Sequence, residues 1–177
     1  MGVDVSGEFV ALAAGAAPPG AAFLRGDARR LPISGAFDAV VSLCQGGFGL
    51  PAAEGDDAAV LAGMASALRP GGRLALTAFS SYFLVRHLEE GDAFDAGSGV
   101  NHERTTVRNE AGEQRRFDLW TSCFTPRELR LLASAAGLEV DALWSVGPGD
   151  YARRPPDLDH PEYLLVAAKP GQSSTAR

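Results

Sequence analysis

Three stretches of this sequence put groups capable of chemistry where a strand stops. Asp4 closes the run Gly2-Val3-Asp4, Gly26-Asp27 follows the apolar run Ala22 to Leu24, and Cys44-Gln45-Gly46-Gly47 follows Phe37 to Leu43. The last two runs have the length and β-branched content of buried strands. Short polar or Gly-rich loops at the carboxyl ends of parallel strands are where open α/β sheets take their ligands. Each residue also has a plainer reading. Asp4 suits a helix N-terminus, where the macrodipole favours an acid, and Asp27 suits a turn. Cys44 has no histidine near it in sequence and reads as a small buried filler rather than a nucleophile. His102, in the expected hairpin, is a candidate general base, whereas His87 reads as a solvated helix residue and His160 as a loop residue beside Pro161.

The elements that must position these groups follow from local signals. Ser6 can cap a helix over Glu8 to Ala14, which Gly15 and Pro18-Pro19-Gly20 close, so residues 1–25 read as a βαβ unit. The run FDAVVSL is nearly continuous in apolar content, as a strand covered on both faces would be. Asp56 or Asp57 is expected to cap a helix reaching Leu68, broken by Arg69-Pro70-Gly71-Gly72 before a strand from Arg73 to Phe79. The pattern so far is half of a doubly wound, mostly parallel sheet. Beyond Ser80 the chain changes character. Tyr82 to Leu88 can form a short amphipathic helix, Glu89 to Gly99 reads as a mobile loop, and Asn101–Arg108 with Gln114–Phe124 reads as a hairpin, so residues 80–124 are expected to form an inserted roof. Thr125-Pro126-Arg127-Glu128 is a capping-box helix start. Strands from Leu138 to Val146 and Tyr163 to Ala168 close the sheet, making one domain over residues 1–170 with a frayed tail at 171–177.

Composition narrows the class. The 177 residues are 46% hydrophobic, enough for a sizeable core. Sixteen Lys and Arg against twenty-two Asp and Glu give a net charge of −6 with no basic face, which argues against a nucleic-acid partner. Two cysteines without a CxxC pair or Cys/His cluster argue against a disulfide framework or a metal site and suit a reducing compartment. Neither a signal peptide nor a membrane-length apolar run is present, so a cytoplasmic protein is expected.

In order and spacing, GVDVS (2–6), GDARRLP (26–32), FDAVVSL (37–43), LRPGGRLALTAF (68–79), FTPRELRLLASAAGLEV (124–140) and YLLVAAKP (163–170) resemble the class I S-adenosylmethionine-dependent methyltransferases of the small-molecule type, from the second strand onward. The resemblance implies a Rossmann-like sheet and S-adenosylmethionine as cofactor. It puts Asp4, with Val5 beside it, in place of the acid that accepts both ribose hydroxyls, a task for two acceptor oxygens. Asp27 and the backbone of Ala28 would read the adenine amino edge. Leu43 and Cys44 would approach the methionine part through main-chain atoms, and Gln45 and Phe48 would meet cofactor or substrate. An oxygen acceptor needs a base, for which His102, Glu103 and Asp118 are candidates; an amine need only arrive deprotonated.

The family's first strand and its GxGxG loop have no counterpart in this sequence. The strands ending at Asp4 and Leu43 are therefore expected to flank a slot about 9 to 10 Å wide, two strand spacings, and the chain to read as N-terminally truncated, binding the cofactor weakly or not at all. A non-catalytic, degenerate methyltransferase domain acting as a binding module is the second reading. A nucleotide-dependent oxidoreductase ranks behind both, because Tyr82 is followed four positions later by Arg86 rather than by lysine.

Overall fold

Strand and helix alternate through the first half of the chain. β1 (Gly2–Asp4), α1 (Gly7–Gly15) and β2 (Phe23–Arg25) form the expected unit, with β1 and β2 parallel. Ser6 ends β1 and caps α1, its hydroxyl accepting from the Phe9 amide at 3.3 Å. β3 (Phe37–Ser42), α2 (Asp56–Ala67) and β4 (Leu68–Ser80) repeat the pattern. The computed structural model describes residues 1–44, 47–50 and 55–171.

β4 is longer than expected. It starts at Leu68 directly after α2, because Leu68 pairs with Phe37 and the Pro70-Gly71-Gly72 segment bonds to the far end of the chain, Gly71 N–H to Lys169 C=O at 2.8 Å and Lys169 N–H to Gly72 C=O at 2.9 Å. The expected break is a strand irregularity instead.

After β4 come α3 (Ser81–Arg86), β5 (Asp92–Asp95), β6 (Val100–Arg108) and β7 (Gln114–Phe124). The mobile loop expected at Glu89 to Gly99 is corrected in part. Asp92–Asp95 pairs antiparallel with Val100–Glu103, and the Asn101 side-chain amide donates to Asp92 at 2.9 Å, so ladder and side chain both hold it. The chain closes with α4 (Pro126–Ala135), β8 (Glu139–Gly147), β9 (Asp150–Arg154) and β10 (Glu162–Ala168), of which β9 had no expected counterpart. Thr125 and Glu128 form the full capping box at the start of α4.

β4 is the hub of the larger sheet. β3 pairs parallel with its first part and β7 parallel with its end, while β10 lies antiparallel along its other side and leads to β8 and β9. α2 and α4 cover one face together. Leu61, Met64, Leu129 and Ala133 pack there on Leu74, Leu76, Tyr163 and Leu165. β1 and β2 form a separate two-stranded sheet, so the strands leading to Asp4 and Leu43 do not pair, in agreement with the expected separation. Among the described residues no helix is long and apolar enough to cross a membrane. Residues 172–177, the bulk of the expected tail, lie outside the described residues.

Candidate functional site

A cleft of about 520 Å³ opens at the carboxyl ends of β1 and β2, against the first turns of α1 and α2. Its walls include Asp4, Val5, Ser6, Asp27, Ala28 and Arg29 on one side and Asp56, Asp57 and Val60 on the other. Two acids read from the sequence thus share one cleft. Their approach depends on the β1–β2 register, in which Asp4 lies opposite Arg25 and its carbonyl accepts from Gly26 N–H at 2.9 Å. A side chain at position 26 would crowd this turn, since a Cβ would come 2.9 Å from Val3 Cγ1 and force one of the two to shift.

The two carboxylates are held differently. Asp4 Oδ1 accepts from the Ser6 amide at 2.7 Å, and the residue is exposed. Asp27 is gripped by Arg29, whose backbone N–H donates to Oδ1 at 3.0 Å and whose Nη2 donates to Oδ2 at 2.7 Å. The same guanidinium reaches across the cleft to Asp56 Oδ2 at 3.0 Å. These Arg29 hydrogen bonds hold the Asp27 carboxyl down at about 2. Asp27 in turn, and then Asp56, push the Arg29 guanidinium upward. Arg29, adjacent to Arg30 in the sequence, was not among the expected site residues. Its signal is the two-residue spacing from an acid in a tight turn.

Asp57 does not cap α2 as expected. The cap position is Gly55, at φ +83°, and the Asp57 carboxylate instead accepts from Gly49 N–H at 2.9 Å and from Ser122 Oγ at 2.5 Å. It ties α2 and the loop before it to the end of β7, so it fixes the wall of the cleft to the roof.

The other expected cofactor residues lie elsewhere. Leu43 and Cys44 follow β3 and do not line this cleft. Cys44 is exposed rather than a buried filler, sits at φ +53°, and its N–H donates to Thr77 Oγ1 at 2.9 Å. A non-glycine residue in the left-handed region is strained, which marks the end of β3 as a special turn. Phe48 is 0% exposed and stacks on Phe124 at 4.9 Å, so its expected place against cofactor or substrate is corrected to one in the core. Gln45 lies outside the described residues.

The candidate bases sit on the β6–β7 hairpin. His102 Nε2 is 2.7 Å from Asp118 Oδ1 and its ring stacks on Trp120 at 4.7 Å, with Arg104 Nε 3.2 Å from the same carboxylate. Hydrogen bonds from His102 and then Arg104 lower the Asp118 pKa, so this acid is a held anion rather than a base. Glu103, next in the strand, points to the opposite face by the alternation of strand side chains. It lines a second cleft of about 510 Å³ with His87, Glu89, Asp92 and Asn101. None of the three borders the Asp4 cleft. Among the described residues no cluster of His, Cys, Asp or Glu could hold a metal ion.

A cleft outside the carboxyl ends of parallel strands is the place where open α/β sheets take their ligands. Residues 1–72 match the family model described as a methyltransferase domain. The CcbJ methyltransferase of Streptomyces caelestis is similar in structure, with a TM-score of 0.75 and 20% identity over 96% of this chain and 74% of that one. An S-adenosylmethionine-dependent methyltransferase of Clostridium acetobutylicum follows at 0.72 and 14%, with the same two shares of 96% and 74%. An amino pentose methyltransferase of Micromonospora echinaspora, bound to S-adenosylmethionine and involved in calicheamicin biosynthesis, gives 0.65 and 24% over 95% and 72%. No curated protein matches the sequence. The chain has the class I S-adenosylmethionine-dependent methyltransferase fold, and its first 72 residues carry the methyltransferase domain pattern, as the resemblance in its sequence implied.

Proposed function

We propose that this chain transfers the methyl group of S-adenosylmethionine to a nitrogen or oxygen of a small molecule. The convergence of Asp4 and Asp27 on one cleft at the carboxyl edge of this fold carries the reading. When bound, S-adenosylmethionine supplies an electrophilic methyl group on a sulfonium. Asp4, with an exposed carboxylate beside the α1 N-terminus, accepts the ribose hydroxyls. Asp27 and Ala28, in a turn stiffened by Arg29, border the adenine, and Leu43 and Cys44 flank the methionine end. The protein's share of the catalysis is alignment and exclusion of water.

Calorimetric titration with S-adenosylhomocysteine tests the reading. Weak saturable binding, in the millimolar range that corresponds to ~4 kcal/mol, is expected in the wild type. Asp4→Ala should weaken it by about tenfold, the scale of one hydrogen bond to a charged group. Absence of binding at saturating ligand sinks the proposal.

The second reading, a non-catalytic binding module, draws support from the split between the β1–β2 pair and the larger sheet. It predicts nucleoside binding without methyl transfer to any amine or hydroxyl acceptor in a labelled-methyl assay.

A further inference from the structure

β7 is paired on one side along most of its length and open on the other. It runs antiparallel to β6 in an unbroken register, from Val100 opposite Ser122 to Arg108 opposite Gln114. On the far side β4 takes only Cys123 and Phe124, and the Gly49 carbonyl takes the Ser122 N–H at 2.9 Å. The Cys123 N–H goes to the β6 side, donating to Gly99 C=O at 2.8 Å. Strand alternation therefore points the N–H and C=O of Gln114, Arg116, Asp118 and Trp120 to the far side, as at Ser122. Among the described residues no strand pairs with that edge from Gln114 to Thr121. Every residue from Gln114 to Trp120 is exposed, Phe117 at 46% and Trp120 at 51%. The stretch carries no proline and no bulge, the devices that keep an open edge from pairing.

We propose that this edge pairs with the same edge of a second copy of the chain, β7 antiparallel to β7, about a two-fold axis at Phe117. The inference is independent of the methyltransferase reading. The side chains argue for a second copy over a foreign strand, because they are self-complementary in one register. Outward-facing residues pair only with outward-facing residues, so the axis must pass through a residue rather than between two. At Phe117 it sets Arg116 opposite Asp118 of the partner subunit, and by symmetry does so twice, with Phe117 against its own copy. A shift of one residue either way sets Arg116 against Arg116 or Asp118 against Asp118, and like charges directly opposite are unfavourable. Both groups are available. His102 and Arg104 bond only Oδ1 of Asp118, which leaves Oδ2 for the incoming guanidinium. Arg116 has no ion-pair partner among the described residues. Each Arg116–Asp118 pair would also exchange two backbone hydrogen bonds, joining two exposed hairpins into one four-stranded ribbon.

Sedimentation velocity of the whole chain over a micromolar dilution series tests the pairing. The wild type is expected to be a dimer that dissociates on dilution. Arg116→Asp sets acid against acid across the axis and Asp118→Arg sets guanidinium against guanidinium, so each alone should weaken the dimer about tenfold or more. An equal mixture of the two variants restores an opposite-charge pair at both positions and should dimerise as the wild type does, which damage to the fold cannot imitate. Arg116→Asp removes no contact within the chain, so it stands as a test even if Asp118→Arg disturbs the hairpin. Hydrogen exchange should show the Arg116 and Asp118 amides slow in the dimer and fast after dilution. A chain that is monomeric at every concentration overturns the inference. So does a dimer that Arg116→Asp leaves at full strength, or one in which the Arg116 and Asp118 amides stay fast.

Discussion

The β1–α1–β2 unit and the β4–β10–β8 sheet are built from similar apolar residues but packed very differently. In the larger sheet Leu76 and Leu165 are 0% exposed beneath α2 and α4. In the smaller unit α1 has no buried residue, and Phe9 and Leu12 are 64% and 69% exposed. β3 shares this character: Val41 is 63% exposed, so the run expected to be covered on both faces is open on one of them. Since apolar burial is the dominant favourable term in folding, stability resides in the larger sheet, while the carboxylates proposed to hold the nucleoside sit on the thinly packed unit. A site on such a unit is ordered by its ligand as much as it orders the ligand.

The largest expected effect tests the packed half. Leu165→Ala should cost about 2 to 5 kcal/mol of unfolding free energy, whereas Leu12→Ala should stay within about 0.5 kcal/mol, both read from denaturant melts. Equal losses would abolish the contrast. Asp57→Ala comes next, because it leaves the Gly49 amide and the Ser122 hydroxyl without their acceptor. A loss of about 1 to 3 kcal/mol is expected, and a neutral result would show that the roof is held to α2 by other contacts.

Hydrogen exchange sharpens the comparison without a mutation. Amides of β1 and β2 should exchange faster than those paired between β4 and β10, and S-adenosylhomocysteine should slow the former selectively. Uniform protection in the free protein would contradict a loosely packed N-terminal unit.

The smallest effect concerns pH. The folded-state pKa of Asp27 is depressed to about 2, so its pairing with Arg29 contributes stability above the ordinary carboxyl value of 3.8 and loses it as pH falls from there towards 2. Arg29→Ala should return the Asp27 titration, followed by carboxyl NMR shifts, towards the ordinary value and flatten that acid dependence. An unchanged titration would mean that the backbone amides alone hold the carboxylate.

Local chemistry made much of this molecule readable in one dimension. The Ser6 and Thr125 caps, the β1–α1–β2 unit and the strand-end positions of Asp4 and Asp27 rest on interactions within a few residues, and the structure has them where the sequence puts them. The tertiary structure alone decided the pairings across long stretches of chain. Asp57 left its helix cap for Ser122, 65 residues away, because the loop and roof offered two donors at once. Asp92–Asp95, polar and Gly-flanked, became a strand because β6 supplied an edge for it. Phe48 went into the core because Phe124 was there to stack on. Caps and turns are settled by energies between near neighbours, whereas these partners are chosen only when the sheet assembles.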